Sequence, residues 1–221
     1  MVGKVDKGAD NPWIAIPAAD YEGHMGGTGV DQLAPLRAIF ADLYASVRPA
    51  RLAVLGCGPG NGLDVIDPAV TRRFAGVDLN ADYLSLARER HAPLAPIATW
   101  ICASADRCDL EAAGFDLIHA ALLLEYIDPS AVLPRVAGWL APGGVFSVVL
   151  QLPGGDAQIS ATRFATLQTL SGLMRLVDPD ELRALATRAG LVEQSSRAVP
   201  VARGKSFWAA TFGRPTSVSK A

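Results

Sequence analysis

The sequence predicts one α/β domain with a doubly wound, mostly parallel sheet and helices on both of its faces. An apolar run over residues 51–55 leads directly into a glycine-rich turn over residues 56–62. A second apolar run, over residues 74–77, ends on Asp78, about 22 residues after the start of that turn. This order and spacing are typical of a βαβ unit that binds a nucleotide at the carboxyl ends of its strands.

The composition is that of a compact domain. The chain has 221 residues, half of them hydrophobic, and a formal net charge of −2. That length supports one sizeable core, and the charge argues against a broad nucleic-acid surface. No apolar run approaches the roughly 18 residues of a membrane span, and the first ten residues lack the core of a signal peptide. We therefore expect a cytoplasmic protein that does not bind membranes and for which nucleic acid is an unlikely partner.

The three cysteines give no sign of a metal site. Cys57, Cys102 and Cys108 form no C-x-x-C pair, which argues against a zinc site and against a disulfide framework. A reduced compartment is the ordinary setting for such a chain. Cys57 lies inside the glycine-rich turn, where we interpret it as a small packing residue.

The chain divides into an arm, a domain and a tail. Residues 1–30 are rich in glycine, aspartate and proline but also carry several aromatic side chains, and we interpret them as an arm or lid over the body. Residues 31–213 form the domain, and residues 214–221 form the tail.

Local patterns predict the elements of the domain. Asp31 is a favoured N-cap residue ahead of apolar residues at helical spacing, so a helix is predicted from there to Pro49. A short helix is expected between the glycine turn and Pro68. Asp178 precedes Pro179 and two acidic residues, which is a strong helix start. Further strands are predicted near residues 99–103, 115–120, 145–150, 191–198 and 207–212, the last two as an antiparallel pair, and further helices over 81–90, 130–139 and near 161–175.

The glycine turn is compatible with several nucleotide-binding motifs, and the surrounding sequence discriminates among them. The dinucleotide fingerprint G-x-G-x-x-G would need glycine where the chain has Asn61. The glycine spacing of short-chain dehydrogenases does fit, but no tyrosine of the chain is followed by lysine four residues later. A P-loop ending at residues 204–206 would need glycine at position 199, which is valine. What remains is the pattern Gly56-x-Gly58-x-Gly60.

Four segments in the correct order resemble the class I, Rossmann-like, S-adenosylmethionine-dependent methyltransferases. The glycine pattern resembles the first motif of that family, and residues 76–80 resemble its acidic motif. Residues 115–128 resemble its fourth strand with the segment after it, and residues 140–150 resemble the turn into its fifth strand. Together the matches cover roughly residues 51–151. The resemblance implies strand order 3-2-1-4-5-7-6 and S-adenosyl-L-methionine as the cofactor.

The resemblance also implies roles for individual residues. Carboxylate Asp78 would bind the ribose hydroxyls, and Leu79 would pack on the adenine. A polar side chain near the adenine amino group is expected within residues 103–106, and either Asp106 or Ser104 could supply it. The predicted cofactor-binding residues are Gly56, Cys57, Gly58, Gly60, Asp78, Leu79, Ser104, Ala105, Asp106 and Leu122, with Leu122 and Leu123 beneath the sulfonium.

The acceptor side carries a weaker pattern. Tyr21, His24 and their neighbours in the arm combine groups that can bind an acceptor and remove a proton from it. Glu125 is a further candidate base, although a carboxylate on this apolar segment could equally pair with an arginine. The arm also resembles a Tyr-Glu-x-His-Met arm in a group of bacterial methyltransferase-like proteins.

These patterns favour a methyltransferase that transfers a methyl group to an oxygen, nitrogen or carbon atom of a small molecule, working as a monomer or homodimer. Two alternatives stay open. A cofactor-binding regulatory protein without transfer activity is compatible with the absence of an unmistakable catalytic base. An RNA or protein methyltransferase is the other, although the sequence pI of about 5.9 counts against RNA.

Overall fold

The computed structural model describes residues 11–154 and 162–215 of the chain, so parts of the predicted arm, of the connection after residue 151 and of the tail lie outside the described residues. Seven strands in the described residues form one sheet of order β3-β2-β1-β4-β5-β7-β6, which confirms the predicted fold class. Neighbouring strands are parallel except that β7 runs antiparallel to both β5 and β6. The strands are β1 (Arg51–Leu55), β2 (Arg73–Asp78), β3 (Ala98–Cys102), β4 (Phe115–Ala121), β5 (Leu140–Gln151), β6 (Val192–Pro200) and β7 (Ser206–Gly213).

Six α-helices in the described residues accompany the sheet. They are α1 (Ala18–Met25), α2 (Leu33–Val47), α3 (Ala81–Arg90), α4 (Pro129–Trp139), α5 (Ala165–Gln168) and α6 (Pro179–Arg188). The predicted N-cap of α6 is present, because the Asp178 carboxylate accepts hydrogen bonds from the backbone N–H groups of Asp180 and Glu181.

The core forms on both faces of the sheet because successive residues of a strand point to opposite faces. In β1, Leu52 and Val54 pack in a cluster with α2 and α3. Ala53 and Leu55 pack in the cluster on the other face, which includes α4 and α6. Burial on both faces explains why the central strands are continuous apolar runs rather than alternating ones.

The start of α2 differs from the predicted one. Asp31 has a left-handed backbone with φ of +43°, and its carboxylate accepts a hydrogen bond from the Gly29 N–H at 3.1 Å. The side chain therefore stabilises the preceding turn. Helix α2 begins at Leu33 with Gln32 as its N-cap, and no side chain caps it. The prediction that Asp31 caps this helix was wrong because a local turn uses the same carboxylate.

Two predicted helices are shorter in the structure. After the glycine turn there is only a three-residue 3₁₀ helix, Leu63–Val65. Asp67 precedes Pro68, which disfavours helical backbone at Asp67 and limits the space for a longer helix. The helix predicted near residues 161–175 is reduced to α5 followed by turns, and residue 161 lies outside the described residues.

Candidate active site

A cavity opens at the carboxyl ends of the parallel strands, where sheets of this kind bind ligands. One end is formed by the glycine turn and Asp78, and the other end by Gln151 and Lys205. The arm contributes a wall through Trp13 and Tyr21. The empty space amounts to about 1210 Å³ when the open solvent at the mouth of the cavity is included.

The glycine turn brings bare backbone to the edge of the cavity. Gly56 and Gly58 have φ values of +66° and +55°, which favour glycine. A Cβ atom at Gly56 would lie 3.1 Å from Leu123 Cδ1, so the turn is also closely packed. The Gly56 N–H donates to the Val77 carbonyl oxygen at 2.8 Å, which fixes the turn to the end of β2.

Asp78 joins the two predicted halves of the nucleotide site. Its Oδ2 atom accepts a hydrogen bond from the Gly58 N–H at 2.8 Å, and its Oδ1 atom accepts one from the Asn80 N–H at 2.9 Å. Burial raises the pKa of the carboxyl above its ordinary value, although the backbone hydrogen bonds oppose this effect. Each carboxylate oxygen can accept a second hydrogen bond, so Asp78 can hold the turn and also bind hydroxyl groups of a ligand.

Tyr83 presents an unsatisfied hydroxyl group at the same end. Its side chain lines the cavity, its ring lies 5.8 Å from the ring of Tyr21, and its hydroxyl oxygen is buried without a hydrogen-bond partner among the described residues. Burying such a group without a partner costs about 1–3 kcal/mol. Tyr83 therefore carries an unused hydrogen-bonding group beside Tyr21 at this end of the cavity.

The predicted adenine end is lined by Leu79, Ser104 and Ala105. Asp106 lies behind this wall, and its carboxylate accepts a hydrogen bond from the Ser104 hydroxyl. Of the two alternatives for the polar contact to adenine, the structure brings Ser104 to the surface of the cavity. Asp106 orients the Ser104 hydroxyl.

The arm is attached to the domain close to the acidic motif. The side-chain amide of Asn80 donates to the Trp13 carbonyl oxygen at 2.9 Å, while its own oxygen caps α3. Glu22 forms an ion pair with Arg90. Contacts among aromatic side chains continue into the cavity, where the ring centroids of Trp13 and Tyr126 are 5.0 Å apart. The arm is thus held at the cavity by polar and aromatic contacts.

The far end of the cavity contains the predicted base His24 together with Lys205, Gln151 and apolar side chains. His24 is half-buried, and its pKa is lowered first by burial and then by the charge of Lys205. The imidazole is therefore neutral at neutral pH and can accept a proton. Burial also raises the pKa of the Tyr21 hydroxyl, with smaller contributions from Asp78 and Glu22.

Glu125 lies one layer behind the cavity wall. Its side chain is 2% exposed, and its Oε1 atom accepts a hydrogen bond from the Gln151 N–H at 2.7 Å. Its Oε2 atom is buried without a partner among the described residues, and burial raises the pKa of the carboxyl to about 7. The structure thus brings Tyr21 and His24 to the cavity. Glu125 does not line the cavity but accepts a hydrogen bond from the backbone of Gln151, which does.

Three further predicted positions are Leu122, Cys57 and Gly60. Leu122 lines the cavity and has a φ of +51°, which is unusual for a bulky residue and marks local strain. The Cys57 side chain is buried in the cluster with α2 and α3, as expected for a packing residue, and burial raises the pKa of its thiol. The Gly60 carbonyl oxygen lies 2.9 Å from the His91 ring nitrogen Nε2, and this contact fixes the outer part of the turn.

Sequence reasoning missed several polar residues of the cavity, among them Tyr83, Gln151 and Lys205. Tyr83 occupies the third position of α3, and Gln151 is the last residue of β5. The carboxyl end of a strand is a general signal for a ligand site and could have indicated Gln151. The sequence around Lys205 was considered only as a P-loop, which Val199 rules out.

Comparison with known proteins agrees with this geometry. Residues 53–144 match the family model described as "Methyltransferase domain". A solved S-adenosylmethionine-dependent methyltransferase from Mesorhizobium loti shares the fold, with a TM-score of 0.64 and 20% identity over 82% of this chain and 98% of that one. Residues 53–144 are therefore similar to a methyltransferase domain, and the chain has the fold of a solved S-adenosylmethionine-dependent methyltransferase.

The curated relatives match only part of the chain. A trans-aconitate 2-methyltransferase of Variovorax paradoxus is 36% identical over 110 residues, which cover 47% of this chain and 39% of that protein. A ubiquinone biosynthesis O-methyltransferase of Neisseria meningitidis is 28% identical over 171 residues, covering 71% of this chain and 70% of that protein. The chain spans less than half the length of the trans-aconitate methyltransferases that it matches.

The described residues also fit the cofactor of this family chemically. The glycine turn accommodates close approach, Asp78 supplies acceptors for hydroxyl groups, and Tyr83 has an unsatisfied hydroxyl beside them. Within ranges 11–154 and 162–215, no helix is long and apolar enough to cross a membrane. In the same ranges, no three His, Cys, Asp or Glu side chains are grouped so that they could hold a metal ion.

Proposed function

We propose that the chain transfers a methyl group from S-adenosyl-L-methionine to a proton-bearing oxygen or nitrogen atom of a small molecule. The observation that carries this proposal is one cavity with two chemically different ends. The glycine turn and Asp78, joined by a hydrogen bond, form one end, and neutral His24 lies at the other. The first end is suited to a nucleoside, and the second is suited to removing a proton.

Cofactor binding would depend on residues at the ends of β1, β2 and β3. The turn from Gly56 to Gly60 would hold the methionine portion, and Asp78 with Tyr83 would bind polar groups of the nucleoside. Leu79, Ser104 and Ala105 would enclose the adenine, and Leu122 would lie beneath the sulfonium. When bound, the cofactor supplies an activated methyl group on a positively charged sulfur. The protein's contribution is to position both reactants and to exclude water.

His24 is the proposed base, and the other two candidates support it. The lowered pKa of His24 keeps it neutral, so it can take a proton from the acceptor atom as the bond to the methyl carbon forms. Tyr21 lies close to Gly58, where it can orient the cofactor. Glu125 holds the Gln151 backbone and is a positioning residue. We further propose that the arm acts as a lid, since it supplies both Tyr21 and His24.

The acceptor is proposed to be a small molecule because the arm narrows the cavity and the net charge of −2 offers no broad basic surface. Relatives named as trans-aconitate and ubiquinone biosynthesis methyltransferases support a metabolite as the acceptor. A cytoplasmic location and a monomeric or homodimeric state stay predictions.

The test is a metabolite-extract screen with cofactor labelled in its methyl group. We expect label to appear in a small molecule, and we expect His24→Gln to lower the rate by roughly 10²–10⁴-fold, the usual contribution of a general base. His91→Gln is the comparison: because His91 contacts the outer part of the glycine turn, its substitution should change the affinity for the cofactor rather than the rate at saturating cofactor. Tight cofactor binding without transfer to any metabolite would instead support the regulatory, non-catalytic alternative.

A further inference from the structure

Helix α1, which carries Tyr21 and His24, is attached to residues 164–170, a segment that includes α5 and is called the clasp segment below. The Thr166 hydroxyl donates a hydrogen bond of 2.6 Å to the Asp20 carboxylate. This distance is typical of a hydroxyl bound to an ionised carboxylate. The two residues are 146 positions apart in the sequence, so the bond fixes α1 to a distant part of the chain.

A second contact depends on a glycine within α1. The Phe164 ring packs so closely on Gly23 that a Cβ atom at this position would lie 2.7 Å from the ring atom Cζ. A larger residue at position 23 would therefore displace the ring or the helix. Glycine inside a helix is otherwise less favourable than alanine. The contact with Phe164 gives a physical reason for glycine at this position.

An apolar cluster joins the same two parts of the chain. Ile16, just before α1, packs with Leu167 and Leu170 of the clasp segment, and each of the three is 2% exposed. The partly buried rings of Tyr21 and Tyr126 pack against them. Separating α1 from the clasp segment would expose these side chains to water, which is unfavourable. The two parts therefore form one packed unit.

The clasp segment is itself attached to the domain. A few residues after it, the Arg175 N–H donates a hydrogen bond of 2.8 Å to the Glu125 carbonyl oxygen. Glu125 closely follows Leu122 and Leu123, which line the cavity. The arm has another attachment through Asn80. The arm is therefore attached to the domain in two places, through Asn80 and through the clasp segment.

The contacts with the clasp segment lie next to His24 on the helix. Asp20 precedes His24 by four residues, so the two side chains lie on the same face, one turn apart. Gly23 is the residue immediately before His24. A displacement of α1 at either contact would therefore move the imidazole relative to the cavity.

We infer that Thr166 and Phe164 are positioning residues, which hold α1 in the place where His24 faces the bound acceptor. This inference rests on the proposed function, since it takes His24 as the base, and it adds the residues that fix the location of that base. Thr166 and Phe164 do not line the cavity. Each of them therefore acts through α1.

The test is an NMR titration of the three histidines of the chain, assigned with the variants His24→Gln and His91→Gln. In the parent, the pKa of His24 is lowered first by burial. Thr166→Val removes the hydroxyl but keeps the size of the side chain, so α1 should loosen and the His24 pKa should rise toward its ordinary value. His119 is buried in β4, and its pKa should not change, which also shows that the variant is folded.

Hydrogen exchange gives a second measurement on the same variant. Amide exchange within residues 18–25 should become about tenfold faster in Thr166→Val, the effect of losing a charge-assisted hydrogen bond. Thr169→Val is the matched control, because the Thr169 hydroxyl donates to the Thr166 carbonyl oxygen within the clasp segment. Thr166→Ser keeps the hydroxyl and should restore the parental values in both measurements.

A further variant addresses the apolar contact. Phe164→Ala removes the ring that packs on Gly23 and should raise the His24 pKa in the same direction as Thr166→Val. Ile14→Ala is its control, because it removes an exposed apolar side chain of the arm.

The two proposals fail separately, because neither the titration nor the exchange measurement needs an acceptor. Absence of S-adenosylhomocysteine binding or of methyl transfer by the parent chain would contradict the proposed function. A parental His24 titration in both Thr166→Val and Phe164→Ala, or an equally large change in the control variants, would overturn the positioning role.

Discussion

At the residue scale, Asp78 has two tasks that sequence patterns alone do not separate. It accepts backbone hydrogen bonds from Gly58 and Asn80, and it faces the cavity. A hydrogen bond to a charged group contributes about 1.5–3 kcal/mol, so Asp78→Ala should weaken S-adenosylhomocysteine binding at least about tenfold. Calorimetry measures this. Asp64→Ala is the control, because Asp64 pairs with Arg37 on the exposed side of the same loop. Unchanged affinity in folded Asp78→Ala would show that the role is misassigned.

Substitution of Tyr83 should affect protein stability and ligand binding in opposite directions. Its buried hydroxyl has no partner among the described residues, so Tyr83→Phe should leave the ligand-free protein equally stable or slightly more stable. The same change should weaken S-adenosylhomocysteine binding by roughly fivefold or more, since a typical hydrogen bond contributes about 1 kcal/mol. Thermal unfolding and calorimetry test the two parts separately. A destabilised variant with unchanged affinity would mean that the hydroxyl has a structural role instead.

Glu125 should make stability depend on pH. Its pKa is about 7 in the folded protein because of burial, above the ordinary 4.5 of the unfolded chain. Between these pH values the folded state keeps a proton that the unfolded state has lost. The contribution of Glu125 to the free energy of unfolding is therefore fully present below pH 4.5 and is lost as the pH rises through about 7. The difference corresponds to roughly 3 kcal/mol. Glu125→Gln, which resembles the protonated acid, should therefore be more stable than the parent at pH 8 and similar to it at pH 4.5.

Denaturant unfolding at the two pH values measures this effect. Glu193→Gln provides a control of opposite sign, because the hydrogen bond with Arg183 lowers the pKa of Glu193. That stabilisation is present above the unfolded pKa and is lost as the pH falls, so Glu193→Gln should not stabilise the protein at pH 8. Equal stability of Glu125→Gln and the parent at pH 8 would contradict the assigned burial of the carboxyl.

At the element scale, Asn80 connects the arm with α3. Asn80→Ala removes the cap of α3 and the hydrogen bond to the Trp13 carbonyl oxygen. Loss of a cap costs about 1 kcal/mol. Asp178→Ala removes the equivalent cap of α6, which has no comparable bond to residues 11–30 of the arm, so it is the matched control. Asn80→Ala should lose at least as much stability as Asp178→Ala, and it should be cleaved faster within residues 11–30.

Limited proteolysis with chymotrypsin, which can cut after Trp13 and Tyr21, measures that difference. Added S-adenosylhomocysteine should slow cleavage in the parent, because an arm closed over ligand is less accessible. Equal cleavage rates in the two variants, or an arm indifferent to ligand, would count against the lid.

The elements also show where prediction from sequence succeeds. The central strands are continuous apolar runs between clear turn residues, so β1, β4 and the sheet order implied by the family resemblance are confirmed. The cap at Asp31 failed because two local hydrogen-bonding patterns compete for one carboxylate. Tyr83 and Lys205 were missed because their importance arises only when distant segments meet, and no local pattern records that meeting.

At the scale of the whole molecule, the residues that line the cavity come from segments far apart in the sequence, from Trp13 in the arm to Lys205 before β7. A ligand in it contacts the ends of several strands as well as the arm. Ligand binding should therefore stabilise the whole domain against cooperative unfolding, and not one loop alone.

The last prediction follows from this arrangement. S-adenosylhomocysteine at 100 times its dissociation constant should add about 2.7 kcal/mol to the free energy of unfolding. For a chain of this size, that corresponds to a rise in melting temperature of roughly 5–10 °C in a single transition. NAD is the matched control ligand, since it shares the adenosine but carries a pyrophosphate, and Asn61 replaces the third glycine of the dinucleotide fingerprint. We expect no shift with NAD. A large shift with NAD and none with S-adenosylhomocysteine would reverse the assignment of the cofactor, because both ligands would compete for the same carboxylate at Asp78 and the same glycine turn.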